Sequence, residues 1–221
     1  SAWTPMTQQR GKPWRPWTDV RLPDVLFVTA LTAGIAALYA PGLDAPPVYD
    51  DGVGVLRNPT GTEIALLGKA FLAPAPQPPD LPLPSYAYRP LTEASFAMNR
   101  ALSGPSLPAF RLTNQLIHAV CAGLVFLLAR RIGQALGQGA SFPYWAALAF
   151  ALHPMAVQAV TYVYQRAVQL ETLFAFLCMF AYLAARDRPS PLRSLPYWTA
   201  WISALLAMTA IDMLRSPVFH G

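Results

Sequence analysis

Long apolar stretches alternate along the chain with short polar stretches marked by proline. Four windows, 24–40, 109–142, 155–188 and 197–216, hold no proline and are dominated by aliphatic and aromatic residues. Proline removes a hydrogen bond from a helix interior and collides with the preceding turn, so proline-free windows are where long helices persist. About 20 apolar residues carry a helix across the hydrocarbon core of a bilayer. The pattern predicts five membrane segments, over about 24–40, 109–131, 142–164, 167–185 and 197–214, the third short or broken at His153-Pro154. Between the first two lies a long loop, 41–108, which holds thirteen of the 23 prolines. Within it we expect a short amphipathic stretch near Glu63–Leu72, an extended run (APAPQPPDLPLP) and a short helix near Thr92–Leu102. The expected class is an all-α integral membrane protein. It has a basic, tryptophan-rich arm over 1–23, a membrane domain over 24–214 and a tail over 215–221.

Composition sharpens this picture. Of the 221 residues 54% are apolar and 12% charged, against about 25% charged in soluble domains. That excludes a soluble enzyme, a disulfide-rich secreted domain and a disordered chain. The net charge of +5 is spread among loops without an arginine-aromatic stripe, so no nucleic-acid partner is expected. Cys121 and Cys178 each sit inside an apolar segment and read as small buried hydrophobes. The first apolar run starts only near Val25, after four basic residues, and lacks a small-residue cleavage site, so it reads as a retained helix. Arginine and lysine cluster before segment one (Arg10, Lys12, Arg15, Arg21), after segment two (Arg130, Arg131) and after segment four (Arg186, Arg188, Arg193). Cytoplasmic loops are enriched in such charges. All three clusters fit one cytoplasmic side, with the loop 41–108 and the C-terminus outside.

Three stretches carry candidate chemistry. In VYDDGVGVLRNP the adjacent Asp50 and Asp51 stand just beyond the first segment. Neighbouring carboxylates repel unless a cation or a proton balances them. One then serves as a general base and Asp50 as ligand to a divalent cation, or the pair is only a solvated Asp-Asp-Gly turn. In SYAYRPLTEASFAMNRAL, Arg89 is held beside Pro90, as a phosphate grip or as an interfacial arginine. In HPMAVQAVTYVYQRAVQLETLF, His153, Gln158, Gln165, Arg166 and Glu171 bring polar groups to the membrane edge. Such groups line a cavity or pair between packed helices. His118 adds another early in the second segment. No zinc spacing, P-loop, dinucleotide fingerprint or nucleophile elbow is present.

Four pieces, YDDGVGVLRNP, YRPLTEASFAMNRALSG, AFRLTNQLIHAV and FALHPMAVQAVTYVYQRAVQLETLF, occur in an order that resembles the membrane half of the transmembrane and tetratricopeptide-repeat glycosyltransferases. These are GT-C-type enzymes similar to the protein O-mannosyltransferases. The resemblance spans about 48–174. It implies a polyprenyl-phosphate sugar donor and a transfer site on the outer membrane face. Asp50 and Asp51 match the family's acidic outer-loop motif, and Arg89, Arg166, His153 and Gln158 become donor-phosphate residues.

Two departures bear on activity. Gln158 stands where the family pattern has glutamate, and Asp212 alone remains where a Lys-Glu pair is usual. The chain also stops after five segments, where family members continue with more helices and a repeat domain. The resulting expectation is a GT-C-like scaffold with impaired catalysis. It would serve as an accessory subunit on a larger membrane complex, with other membrane subunits, lipids and polyprenyl phosphate as partners, in a bacterial inner membrane. The alternative is a glycosyltransferase, or its membrane half, moving a sugar from a polyprenyl-phosphate donor to a protein or glycan hydroxyl. No cofactor is specified beyond the divalent cation an active Asp50 site would take.

Overall fold

The computed structural model of the protein describes residues 20–56 and 89–186, with the helical residues Trp198, Thr199, Ile202 and Ser203. Every regular element among them is helical. In chain order they are α1 (Leu22–Tyr39), α2 (Pro90–Ser103), α3 (Leu107–Ala135), α4 (Phe142–Ala151), α5 (Ala156–Thr161) and α6 (Arg166–Arg186). A tight turn over Ala40–Gly42 follows α1, a wide π-type turn spans Asp51–Leu56, and a second tight turn, Val163–Gln165, leads into α6.

The prolines start helices as well as separating them. Pro23, Pro90, Pro108 and Pro143 all lie in the first turn of their helices. There the missing N–H is one of the orphan donors anyway and the fixed φ suits a helix. The helix expected near Thr92–Leu102 is α2. The second expected segment, 109–131, is longer than its apolar run: α3 continues through Arg130 and Arg131 and ends before Gly137, whose φ of 66° suits a glycine.

Three stretches, Leu22–Gly42, Leu107–Ala135 and Val163–Ala184, are long and apolar enough to cross a membrane. The third expected segment is broken at the place the sequence marks. α4 has ten residues, about 15 Å of helix, and stops at Ala151. The chain turns through His153-Pro154, resumes as α5, and becomes extended at Tyr162. The interrupted segment nevertheless reaches both ends of its neighbours. Tyr144 at the start of α4 donates to Asp24 Oδ1 near the start of α1 (2.8 Å), while the Thr161 carbonyl at the end of α5 accepts from Arg111 near the start of α3 (3.2 Å). The fifth expected segment, 197–214, lies outside the described residues except for the four named above. The arm, the Glu63–Leu72 stretch and the proline-rich run lie outside them too.

The long helix α3 packs against every other described helix. Its buried stripe Ala119, Ala122 and Phe126 meets Leu31, Ile35 and Tyr39 of α1, Ala147 and Ala151 of α4, and Val160 of α5. Alanines on facing helices permit the close approach on which helix association in lipid depends. Beside this cluster Phe27, Phe126 and Tyr144 form a ring triad with centroids 4.8–5.4 Å apart. The outward faces stay apolar: Leu26, Leu38, Leu116 and Val120 are all exposed. In water that would be a liability; against lipid tails it is the expected surface.

At the start of α1, Asp24 is bound by three elements. Its Oδ2 accepts from Arg130 Nη1 at 2.8 Å and from the Arg21 backbone N–H at 3.1 Å, and its Oδ1 accepts from the Tyr144 hydroxyl. This latch joins the beginning of α1 to the end of α3 and the beginning of α4. Tyr144→Phe removes one hydrogen bond to a charged group and is expected to cost about 1–2 kcal/mol. Thermal unfolding in detergent, compared with wild type, measures it; an unchanged midpoint would show that the latch carries no stability.

Candidate functional site

At the opposite end from the Asp24 latch, residues 43–56 leave α1 and fold over the beginning of α3. The residue that fixes this path is Arg111, buried in the first turns of α3. Its Nε donates to the Thr161 carbonyl (3.2 Å), its Nη1 to the carbonyls of Leu43 (2.9 Å) and Ala45, and its Nη2 to that of Pro46 (2.9 Å). Loop carbonyls have no helical partners, and a guanidinium presents a fork of donors that can satisfy several at once. Arg100 of α2 does the same for the other end of the loop, donating through Nη2 to Val55 and Leu56, each at 3.0 Å.

Held in this way, the two adjacent carboxylates have different surroundings. Asp51 is fully buried. Its Oδ1 accepts from the Tyr164 N–H (3.0 Å) and its Oδ2 from the Val48 N–H (3.4 Å), with Arg111 Nη2 at 4.0 Å. Burial pushes its pKa up, and the backbone N–H groups and the Arg111 charge only partly offset this. Asp50 is half-buried, and its Oδ2 accepts from the Tyr162 hydroxyl at 2.9 Å. The Tyr162 oxygen in turn accepts from the Asp50 backbone N–H at 3.3 Å. Burial first, and then the hydrogen bond to Asp50, pushes the Tyr162 phenol up to about 12. It therefore stays protonated, and remains a donor, across the physiological range.

Aromatic rings frame this centre. Tyr49 is 88% exposed and lies edge-on to Tyr162, with centroids 6.0 Å apart. Its φ of 46° falls in the left-handed region, which a non-glycine residue adopts at a cost. The anchored residues Asp50 and Asp51 that follow hold it there. Arg89 stacks over the Tyr164 ring, 5.2 Å from its centroid, and its buried Nε has no hydrogen-bond partner. Gly54 lies directly on that ring: a β-carbon there would come within 2.5–2.6 Å of Tyr164.

The other expected donor-phosphate residues make their contacts elsewhere. Arg166 is fully buried. Its Nε donates to Asn114 Oδ1 (2.8 Å), its Nη2 to Asn99 Oδ1 and the Phe110 carbonyl (both 2.9 Å), and its Nη1 to the Ser95 carbonyl (3.3 Å). Its charge also faces the rings of Phe96 and Phe110. It joins α6 to α2 and α3. His153 is exposed at the break after α4, where its Nδ1 accepts from the Met155 N–H at 3.2 Å. Gln158 carries an exposed side chain on α5, and its backbone carbonyl accepts the Tyr162 N–H. Among the described residues, no three His, Cys, Asp or Glu side chains come together as a metal-holding group. Asp51 turns both oxygens to backbone N–H groups, so Asp50 has no second described carboxylate directed beside it to help hold a cation.

Asp50 and Asp51 thus share a centre with Tyr162, Tyr164 and Arg111, and Arg89 reaches it only through the Tyr164 ring; Tyr164 and Arg111 are residues that sequence reasoning did not single out. Arg111 did carry a signal, as a permanent charge inside an apolar helix. Tyr162 reads from spacing as sharing a helical face with Gln158, but the backbone is extended there and turns it toward the loop, a break with no sequence signature; Tyr164 carried no signal.

Parts of the chain are similar to curated proteins. It is 35% identical over 100 residues to protein O-mannosyl-transferase TMTC2 of Mus musculus and of Homo sapiens, which is 44% of this chain and 11% of either relative. It is 30% identical over 171 residues to protein O-mannosyl-transferase TMTC3 of Mus musculus, which is 75% of this chain and 18% of that protein. The chain therefore spans less than a fifth of the length of these relatives, and its relation to the O-mannosyl-transferases is distant. No family model matches it, and no solved structure matches it.

Two measurements test the geometry. Gly54→Ala must displace the Tyr164 ring and is expected to lower stability by about 1–3 kcal/mol. Gly52→Ala, where a β-carbon meets nothing within 4 Å, serves as the neutral control. Equal unfolding midpoints for the two variants would contradict the packing. For Asp51 the folded pKa lies above the unfolded one. The stability it contributes is complete below the ordinary carboxylate pKa and is lost as pH rises through the raised value. Asp51→Asn removes that dependence, so the midpoint of the variant relative to wild type should rise between acidic and neutral pH.

Proposed function

We propose that this chain is the membrane core of a sugar transferase in which Asp50 is the general base. The observation that carries the reading is the Asp50–Tyr162 pair. Asp50 is the accessible member of the acidic pair, and one of its oxygens is fixed by a phenol that stays protonated. The other oxygen is left to take a proton. Asp51 and Arg111 hold the backbone around it, and so act as positioning residues. The O-mannosyl-transferase relatives point to the same reaction class.

In the proposed step the acceptor hydroxyl gives its proton to Asp50 as its oxygen attacks the anomeric carbon of a sugar carried on a polyprenyl phosphate. The bond from that carbon to the phosphate oxygen breaks, and the lipid phosphate leaves. Of the two arginines expected to offset the leaving charge, Arg89 is the one assigned, because the Arg166 donors are occupied by protein acceptors. Fixed positive charge aimed at a developing anion is the usual device for lowering such a barrier. The end of the bundle that holds Asp50 is assigned to the outer face. The positive-inside bias supports this orientation, since it favours the cytoplasm for the end that holds Arg130 and Arg131.

The second reading, a non-catalytic scaffold on a larger complex, draws on Gln158 in place of glutamate and on Arg166 being enclosed in the core. Two outcomes separate the readings. With membranes containing the protein and a labelled polyprenyl-phosphate sugar, Asp50→Asn is expected to lower transfer about 100-fold or more. Tyr162→Phe is expected to lower it about tenfold, since one hydrogen bond to the base is lost. Undiminished transfer in Asp50→Asn overturns Asp50 as the base, and absence of transfer in the wild-type protein sinks the transferase reading. Retention of the chain with a fixed partner in constant ratio, without any transfer activity, establishes the scaffold.

A further inference from the structure

The side chains at the Asp50 centre form a row of contacts. The Tyr49 ring meets Tyr162 at 6.0 Å between centroids, Tyr162 meets Tyr164 at 6.2 Å, and Arg89 lies over Tyr164 at 5.2 Å. Asp50 joins the row in the middle, through the Tyr162 hydroxyl. Arg89 and Tyr49 therefore stand at opposite ends of this sequence of contacts. In the transfer reading, on which this inference rests, Arg89 meets the leaving phosphate. A hydroxyl activated by a general base attacks the anomeric carbon from the face opposite the leaving group. With Asp50 taking its proton, the Tyr49 end is left for the rest of the acceptor.

Two observations set Tyr49 apart. Its side chain is 88% exposed, so the fold uses little of the ring beyond the edge contact with Tyr162. Its φ of 46° is costly for a side chain of this size. Such strain persists where neighbours over-determine the backbone, and it clusters at ligand clamps. Here the neighbours are Val48, bonded to Asp51 through both its N–H and its carbonyl, and Asp50, whose N–H donates to the Tyr162 hydroxyl. The chain leading to Tyr49 narrows the chemistry. Pro46, Pro47 and Val48 are exposed as well. Neither proline has an N–H, the Pro46 carbonyl is held by Arg111 at 2.9 Å, and both backbone groups of Val48 are taken by Asp51. The surface beside Asp50 thus offers apolar area and few hydrogen-bonding groups. A sugar acceptor carries hydroxyls on every side and would find few partners for them here. An aromatic side chain loses nothing polar by stacking on it.

We propose that Tyr49, with Pro46, Pro47 and Val48, is an acceptor subsite that selects a serine or threonine flanked by an aromatic residue. The flanking ring stacks on Tyr49 while the hydroxyl reaches the free oxygen of Asp50. Tyr49 is a binding residue in this arrangement and takes no part in the proton transfer.

The test uses the full chain in lipid nanodiscs and fluorescent peptides with a single threonine, flanked by phenylalanine, alanine or lysine. Binding is read by anisotropy, and transfer from a labelled polyprenyl-phosphate sugar is read in parallel. The phenylalanine peptide should bind about tenfold more tightly than the other two. Tyr49→Ala should remove that preference and raise KM for the phenylalanine peptide about tenfold with kcat nearly unchanged, the pattern of uniform binding. Tyr49→Phe keeps the ring and should keep the preference. Tyr49→Gly should lose it while the unfolding midpoint stays level or rises, because glycine adopts this φ freely. A preference absent from wild type, or one that survives Tyr49→Ala, overturns the proposal and leaves the ring as an interfacial anchor. An uncharged oligosaccharide that displaces the peptide with equal affinity, and loses that affinity in Tyr49→Ala, overturns it in favour of a glycan acceptor. The expected preference without any transfer by wild type keeps the peptide site and sinks the transfer reading alone.

Discussion

The structure turns on one guanidinium. Arg111 sits in the first turns of the longest helix, and its side chain gathers four backbone carbonyls, three from the chain leaving α1 and one from the end of α5. A charge removed from water is tolerated only when its hydrogen bonds are complete. The loop carbonyls it binds face the same requirement from the other side. Each solves the other's problem, and the solution draws three separate pieces of chain to one point. The wide turn that begins at Asp51, directly after Asp50, starts five residues after the last of the three loop carbonyls, so its position follows from Arg111 before either aspartate makes a contact of its own.

The same economy recurs. Arg100 takes the far end of that turn, Arg166 ties α6 to α2 and α3, and Arg130 meets Asp24 at the other end of the bundle. Four cations that composition alone would assign to loops or interfaces are instead fasteners between helices. In lipid there is no hydrophobic force to press apolar helices together, so polar contacts and close packing carry more of the specificity. The alanine-rich seam of α3 and α4 supplies the packing, and the arginines supply the register.

Much of the architecture was legible in the residues. The proline-free windows mark α1, α3 and α6, and His153-Pro154 marks the break after α4. The helix after Arg89 was legible because Pro90 opens it and an amphipathic run follows. The acidic pair was legible as a pair. Its division into a buried Asp51 and an accessible Asp50 was not, because that depends on which backbone N–H groups lie opposite, and those come from Val48 and Tyr164, more than a hundred positions apart. Arg166 illustrates the same gap. A lone arginine at a membrane edge reads equally as a phosphate grip or a structural pin, and only the placement of Asn99, Asn114 and Phe110 decides. Spacing along the chain describes local faces, whereas these sites are assembled from segments that meet only after the helices pack.

The chain direction of those arginine contacts has a consequence for biogenesis. Arg100 binds carbonyls at 55 and 56, Arg130 binds Asp24, and Arg166 binds groups at 95, 99, 110 and 114. Of the Arg111 partners three, at 43, 45 and 46, precede it and one, at 161, comes after it. Nearly every acceptor therefore leaves the ribosome before the cation that needs it. As synthesis proceeds, each of these positive charges emerges with most or all of its acceptors already made, so the segment order of this chain suits stepwise insertion from its N-terminal side.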